Sequence, residues 1–310
     1  PMSMNQTRAV PNACAKPVHP QTRRAIIRPM RTTQVRHNTS NTRRYNLKRL
    51  LLTALLGAAV VTTTPALAAG KESHLNRILS SGVLRVGTTG DFNPMSFRDP
   101  GSKDYKGHQI DIAKRLAEDM GVKVEFVPTD WKTLISGITA NKYDVVMTGT
   151  SMTVSRAKAV GYTLPWGRTG YMPLTQKKNA GRFKTWEDLN DPNVTVAYNL
   201  GTSFEEFVKR ELPKAKVKRV ESPARDWQEL VAGRVDVTIS SILEASVLAQ
   251  KHKNLVPLFG DDVRNSVPLG FLVAQDDQVW LNFMNNWVMM KTSLGYFKSV
   301  NEKWGIAGQD

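Results

Sequence analysis

From Val83 onward, short β-branched runs alternate with amphipathic stretches. Residues 83–88 (VLRVGT) read as a strand and residues 110–120 as a helix. In that helix Ile112, Ala113, Leu116, Ala117 and Met120 fall on one stripe, with Lys114, Arg115, Glu118 and Asp119 opposite. Gly121 can close it in the left-handed conformation. Residues 122–127 predict the next strand, 131–140 the next helix and 145–148 a third strand. This rhythm predicts α/β layering with parallel pairing.

The rhythm restarts after an extended passage. Thr185 can cap a short helix through Leu189; 194–198 read as a strand, and 204–212 as a helix that Pro213 ends. Strands are expected at 216–220 and 235–240, with a helix at 227–232 between them and another at 242–250. Residues 267–273 predict one more strand, followed by closing helices at 277–291 and 295–304. Two similar α/β halves with a late return predict a two-lobed chain: a first lobe from 69–166 and 267–310, and a second from 167–266. The passages at 163–173 and 267–273 would cross between them as hinges.

The first 70 residues break this pattern. Arg43, Arg44, Lys48 and Arg49 precede an apolar run at 50–61, and Ala66-Leu67-Ala68 offers small residues for cleavage before Ala69, the anatomy of an export signal over 30–68. A 12-residue run spans about 18 Å, short of the ~30 Å a membrane helix must cross. Residues 42–48 resemble a twin-arginine motif with Asn46 at its preferred Phe position, and an ordinary basic segment explains the pair equally. No Cys stands beside the cleavage site, so a freely diffusing periplasmic product is expected, not a lipoprotein. Residues 1–29 lack apolar periodicity and read as a disordered or non-native extension ahead of Met30.

This leader also reinterprets the charge. The chain has 43 Lys plus Arg against 27 Asp plus Glu, but 11 of the basic residues and none of the acidic ones lie in residues 1–70. The surplus of 5 left to the body does not point to nucleic acid. The single cysteine, Cys14, lies in the leader, so the body has no disulfide, thiol nucleophile or Cys-based metal site. Three body histidines show no metal-binding spacing, and nucleophile-elbow, phosphate-loop and dinucleotide motifs are absent. No cofactor or metal is expected.

Two loops remain that suit an anion. Thr148-Gly149-Thr150-Ser151 leaves a strand end, and Arg156 follows with a planar fork suited to a carboxylate; a polar turn with a solvated Arg is the plain alternative. Gly201-Thr202-Ser203 opens the helix at Phe204, where free N–H groups and the dipole favour an anion. There Ser203 and Glu206 also have the spacing of a simple capping box. Of the aromatics nearby, Phe92 and Phe204 are expected to face a cleft, whereas Trp131 and Trp166 suit a core. Glu205, at the second loop, is the best-placed carboxylate for acid-base work, although first-turn charge is the simpler role.

These residues resemble the periplasmic solute-binding proteins of family 3, the polar amino acid receptors of ABC importers. The resemblance rests on residues 78–87 (ILSSGVLRVG), 144–151 (DVVMTGTS) with Arg156, and Gly201-Thr202-Ser203, and it runs from about residue 74 to 305. It implies a two-lobed, type II binding-protein fold, a monomer that closes on a small carboxylate or amino-acid-like ligand, and an ABC permease as partner. It implies roles for Thr148, Gly149, Thr150, Ser151, Arg156, Gly201, Thr202 and Ser203 at the ligand's carboxylate, with Phe92 over its side chain. Residues 88–92, Trp131 and Glu205 also resemble the cyclohexadienyl dehydratase branch, which adds Asp91 and Trp131 to the site and implies Glu205 as a general acid. Ser240-Ser241 departs from the pattern, with Ser241 falling where an Asp would pair with an ammonium. Losing one partner of a buried pair costs ~3–5 kcal/mol, so a carboxylate without a free α-ammonium, or with its amine held by aromatic faces, is expected.

Overall fold

A computed structural model describes residues 72–306, so the leader and its expected export signal lie outside the described residues. The described residues belong to one unit of the chain, Ala66–Asp310. In chain order the first part comprises α1 (His74–Ser81), β1 (Val83–Thr88), β2 (Asp91–Phe92), β3 (Ser96–Arg98), β4 (Tyr105–Lys106), α2 (His108–Met120), β5 (Lys123–Pro128), α3 (Leu134–Thr139), β6 (Val145–Val146), α4 (Val154–Ala157) and β7 (Gly161–Tyr162). Next come β8 (Gly167–Gln176), β9 (Thr195–Asn199), α5 (Phe204–Glu211), β10 (Lys216–Val220), α6 (Asp226–Val231), β11 (Val237–Ser241), α7 (Ile242–Lys251), β12 (Leu255–Pro257) and β13 (Arg264–Leu269). The return to the first sheet is β14 (Leu272–Val273), followed by α8 (Gln278–Ser293) and α9 (Tyr296–Lys303).

The strands form two main sheets, ordered β5-β1-β6-β14-β7 and β10-β9-β11-β8-β12, the latter with β13 on β8. Pairing is parallel where the strand-helix rhythm predicts it, β1 with β5 and β6, and β9 with β10 and β11. The late strand β14 runs antiparallel to β6 and β7. A small meander, β2-β3-β4, was not legible in the pattern.

Each sheet carries its own core. Leu84 and Val86 of β1 pack with Ile112 and Leu116 of α2, and Trp280, Met284 and Phe297 from the closing helices complete the cluster. In the second sheet Val196 and Tyr198 of β9 face Phe207, Val237 and Ile239, while Ala197 faces Leu174, Leu230 and Ala245 on the other side. That alternation follows the two-residue period of a strand.

Two expected elements differ. The helix expected over 131–140 begins only at Leu134, because the Asp130 carboxylate accepts the N–H groups of Lys132 and Thr133 at 2.9 Å and holds them in a turn. The strand expected over 267–273 is broken at Gly270: β13 pairs with β8 in the second sheet and β14 belongs to the first. Here the two crossings run side by side. Thr163 N–H donates to Phe271 O at 3.0 Å, Trp166 N–H to Leu269 O at 3.0 Å, and Gly270 N–H to Thr150 O at 3.2 Å.

The closing helices are tied to the first sheet through Asp144. Its carboxylate takes Arg77 and Arg85, the latter at 2.6 Å, and its backbone carbonyl accepts Trp280 Nε1–H at 2.9 Å. Trp280 is fully buried. Trp280→Ala is expected to destabilise the fold by about 3–5 kcal/mol, read by urea unfolding, because it leaves a cavity and an unmet carbonyl.

Candidate functional site

One cleft gathers most of the predicted residues. It is lined by Phe92, Trp131, Gly149, Ser151, Arg156, Thr202, Ser203, Phe204 and Ser241, together with Thr169, Arg225, Leu243, Glu244 and Leu269. The space between these side chains, part of it open to solvent, is ≈ 420 Å³.

Arg156 sits at the junction. Thr153 Oγ1 accepts the Arg156 N–H at 3.2 Å and fixes the single turn of α4. From there the buried guanidinium donates to Ser151 O at 3.1 Å and, across the cleft, to Gly201 O at 2.9 Å. Gly201 has φ +79°, and a Cβ there would lie 2.5 Å from Trp131 C and O, so glycine is required both by backbone conformation and by the approach of the opposite loop. Gly149, at φ +83°, is pressed in the same way against Met95 and Phe92.

Of the other predicted residues, Thr148 and Thr150 frame the cleft without lining it. Thr148 Oγ1 pairs with Thr89 Oγ1 at 2.8 Å, and the Thr150 hydroxyl is buried without a partner. The expected cap at Ser203 is not formed. Tyr171 O–H donates to Ser203 Oγ at 2.5 Å instead, and its ring meets Phe204 edge-on at 4.8 Å. Glu205 does not line the cleft; its carboxylate accepts from Lys209 at 2.7 Å, one turn along the helix. Trp131, released from the helix expected there, packs edge-on to Phe92 at 5.8 Å in the cleft wall. Trp166 is buried against His108, Phe271 and Phe297.

The least anticipated feature is a buried charge cluster around Arg225. Asn199 positions this residue by donating to Ala224 O at 2.9 Å and accepting from Asp226 N–H at 3.0 Å, while Gln228 Oε1 takes the Arg225 N–H at 2.9 Å. The guanidinium then reaches both oxygens of Glu244 at 2.9 and 3.0 Å, and across to Asp91, meeting its backbone carbonyl at 2.8 Å and its carboxylate at 3.0 Å. Asp91 Oδ1 also accepts Trp131 Nε1–H at 3.1 Å, and Ser240 Oγ–H donates to Glu244 at 2.9 Å. Ser240-Ser241 therefore does not leave this wall uncharged, because Glu244, at the start of the same helix, brings a carboxylate to it.

Burial pushes the Glu244 carboxyl up to about 7, with Arg225 opposing and Asp226 and Asp91 reinforcing the rise. Burial also raises Asp226, against the pull of Arg225 and the Thr238 hydroxyl. For Arg225 burial acts to lower the pKa, but Glu244, Asp91 and Asp226 outweigh it and hold the guanidinium above its ordinary range. Among the described residues no group of three metal-ligating side chains gathers, and no helix is long and apolar enough to cross a membrane.

Residues 84–307 match the family model for bacterial extracellular solute-binding proteins, family 3. Cyclohexadienyl dehydratase of Pseudomonas aeruginosa is 30% identical over 261 residues, covering 84% of this chain and 94% of that protein. The L-cystine-binding protein TcyJ of Escherichia coli is 26% identical over 259 residues, covering 84% and 96%. Among solved structures, an ancestral amino acid-binding protein described as a precursor of cyclohexadienyl dehydratase superposes with a TM-score of 0.70 at 40% identity, over 75% of this chain and 99% of that one.

Two outcomes follow from the geometry. Gly201→Ala should unfold cooperatively yet close less well: a left-handed non-glycine residue costs ~1–2 kcal/mol, and its methyl meets the Trp131 backbone, so small-angle scattering should give a larger radius of gyration than wild type. For Glu244 the folded pKa of about 7 stands above its ordinary 4.5. As pH rises through that window the unfolded chain releases a proton that the folded one keeps, so stability falls. Urea unfolding at pH 5 and pH 7 should show this fall in wild type and a smaller one in Glu244→Gln.

Proposed function

Because the chain belongs to the bacterial extracellular solute-binding proteins of family 3, we propose that it is the periplasmic receptor of an ABC importer, closing its two lobes on a small carboxylate or amino-acid-like ligand. The observation that carries this reading is the position of Arg156, buried where the loop after β6 meets the loop before α5 and bonded to carbonyls on both sides. A guanidinium held there offers a fork to a carboxylate at the point where closure brings the lobes together. Ser151, Thr202 and Ser203 supply short polar groups around it, and Phe92, Trp131 and Phe204 supply faces for an apolar remainder. Export through the segment at 30–68, with cleavage near Ala68, would deliver the receptor to its permease.

Similarity to cyclohexadienyl dehydratase supports a second reading, a carbon-oxygen lyase acting through Glu205. The Lys209 contact turns that carboxylate away from the cleft lining, which favours the receptor. Calorimetry against a panel of small carboxylates and amino acids separates the readings when paired with a prephenate assay followed by phenylpyruvate absorbance. Micromolar binding without turnover is expected, with binding about 10²-fold or more weaker in Arg156→Met, since the lost partner of a buried ion pair costs ~3–5 kcal/mol. Turnover of prephenate that is abolished in Glu205→Gln would establish the enzyme instead.

A further inference from the structure

The charge pattern inside the cleft narrows the class of ligand. Two guanidiniums, Arg156 and Arg225, line it; Glu244 and Asp91 pair with Arg225, whereas Arg156 donates to backbone carbonyls, so one incoming carboxylate would pair with Arg156. The acidic groups at the Arg225 end are already met by the protein. Both Glu244 oxygens are held by Arg225, one of them also by Ser240, and Asp91 divides its carboxylate between Arg225 and Trp131. An ammonium entering here must compete with Arg225 for these carboxylates and lie near its guanidinium, which is unfavourable in a buried site.

Ser241 offers the complementary chemistry. Its Oγ accepts the Glu244 N–H at 3.1 Å as the cap of α7, which leaves the hydroxyl proton available to the cleft. This proton suits a carbonyl or hydroxyl oxygen, while an ammonium, which brings only donors, could use only the single lone pair that the cap leaves.

We infer that Arg225 is a specificity-determining residue, a tethered cation standing where a ligand's ammonium would otherwise be needed, so that the cleft selects 2-oxo or 2-hydroxy carboxylates over the matching amino acids. This rests on the reading that the cleft binds a carboxylate at Arg156. Thr169 and Leu269 close the wall without adding charge, and Phe92, Trp131 and Phe204 suit an apolar or aromatic remainder.

Isothermal titration of the exported chain with phenylpyruvate, phenyllactate and phenylalanine isolates the effect, because the three differ only beside the carboxylate. Wild type is expected to bind the oxo and hydroxy acids at least ~10-fold more tightly than phenylalanine. Arg225→Met, which leaves Glu244 and Asp91 without their cation, should shift that ratio towards the amino acid by at least ~10-fold. Circular dichroism melts accompany each variant. Should Arg225→Met lack a cooperative melt, Glu244→Gln gives the second arm: it removes one of the two carboxylates that could attract an ammonium and should widen the oxo-acid preference, and a narrowed preference would overturn the inference. Tighter binding of phenylalanine by wild type, lost in Arg156→Met, would overturn the inference while leaving the receptor reading intact. Failure of wild type to bind any carboxylate or amino acid of the wider panel would remove both.

Discussion

A charged guanidinium taken out of water must be met by carboxylates or carbonyls, and Arg225 finds its partners on both sides of the cleft. Glu244 approaches from the helix that follows β11, and Asp91 from β2. Opening the cleft would leave part of that charge exposed to water, and closing it requires the two sheets' loops to arrive in register. Closure and charge satisfaction are therefore one event. The exposed Lys132–Glu221 pair, which bridges the same loops at the surface, contributes little by comparison because solvent screens it.

The rest of the architecture serves that meeting. Parallel strands with crossover helices place the ends of β1, β6, β9 and β11 towards a shared edge: β2 follows β1 with Asp91, the loops after β6 and β9 carry Ser151 and Thr202, and Ser241 ends β11. The two crossings lie side by side and are hydrogen-bonded to each other. Ser151 bridges to Leu269 at the end of β13, so the loop that bears Arg156 is fastened to the hinge itself. The loop that carries Arg156 is thereby fixed to the second crossing.

Much of this was legible from local pattern. The stripe through Ile112 and Leu116 and the αL closure at Gly121 follow from periodicity and turn chemistry. What escaped detection depends on contacts distant in sequence. Ser203 and Glu206 have the spacing of a capping box, yet Tyr171, from β8, takes the Ser203 hydroxyl. Arg225 lies in a polar Ser-Pro-Ala-Arg segment and Glu244 in the first turn of a helix, positions that local pattern alone does not single out. Only the approach of Asp91 and the clamp at Asn199 bury the pair. Trp131 was expected inside a helix and stands in the cleft wall because Asp130 delays the helix start.

The central claim is that this cleft supplies its own cation and takes its negative charge from the ligand. Native mass spectrometry of the protein isolated from periplasm, followed by release and identification of the bound small molecule, tests it most directly. The account predicts a small carboxylate with an oxo or hydroxyl oxygen and no free amine; recovery of an α-amino acid with its ammonium intact would contradict it.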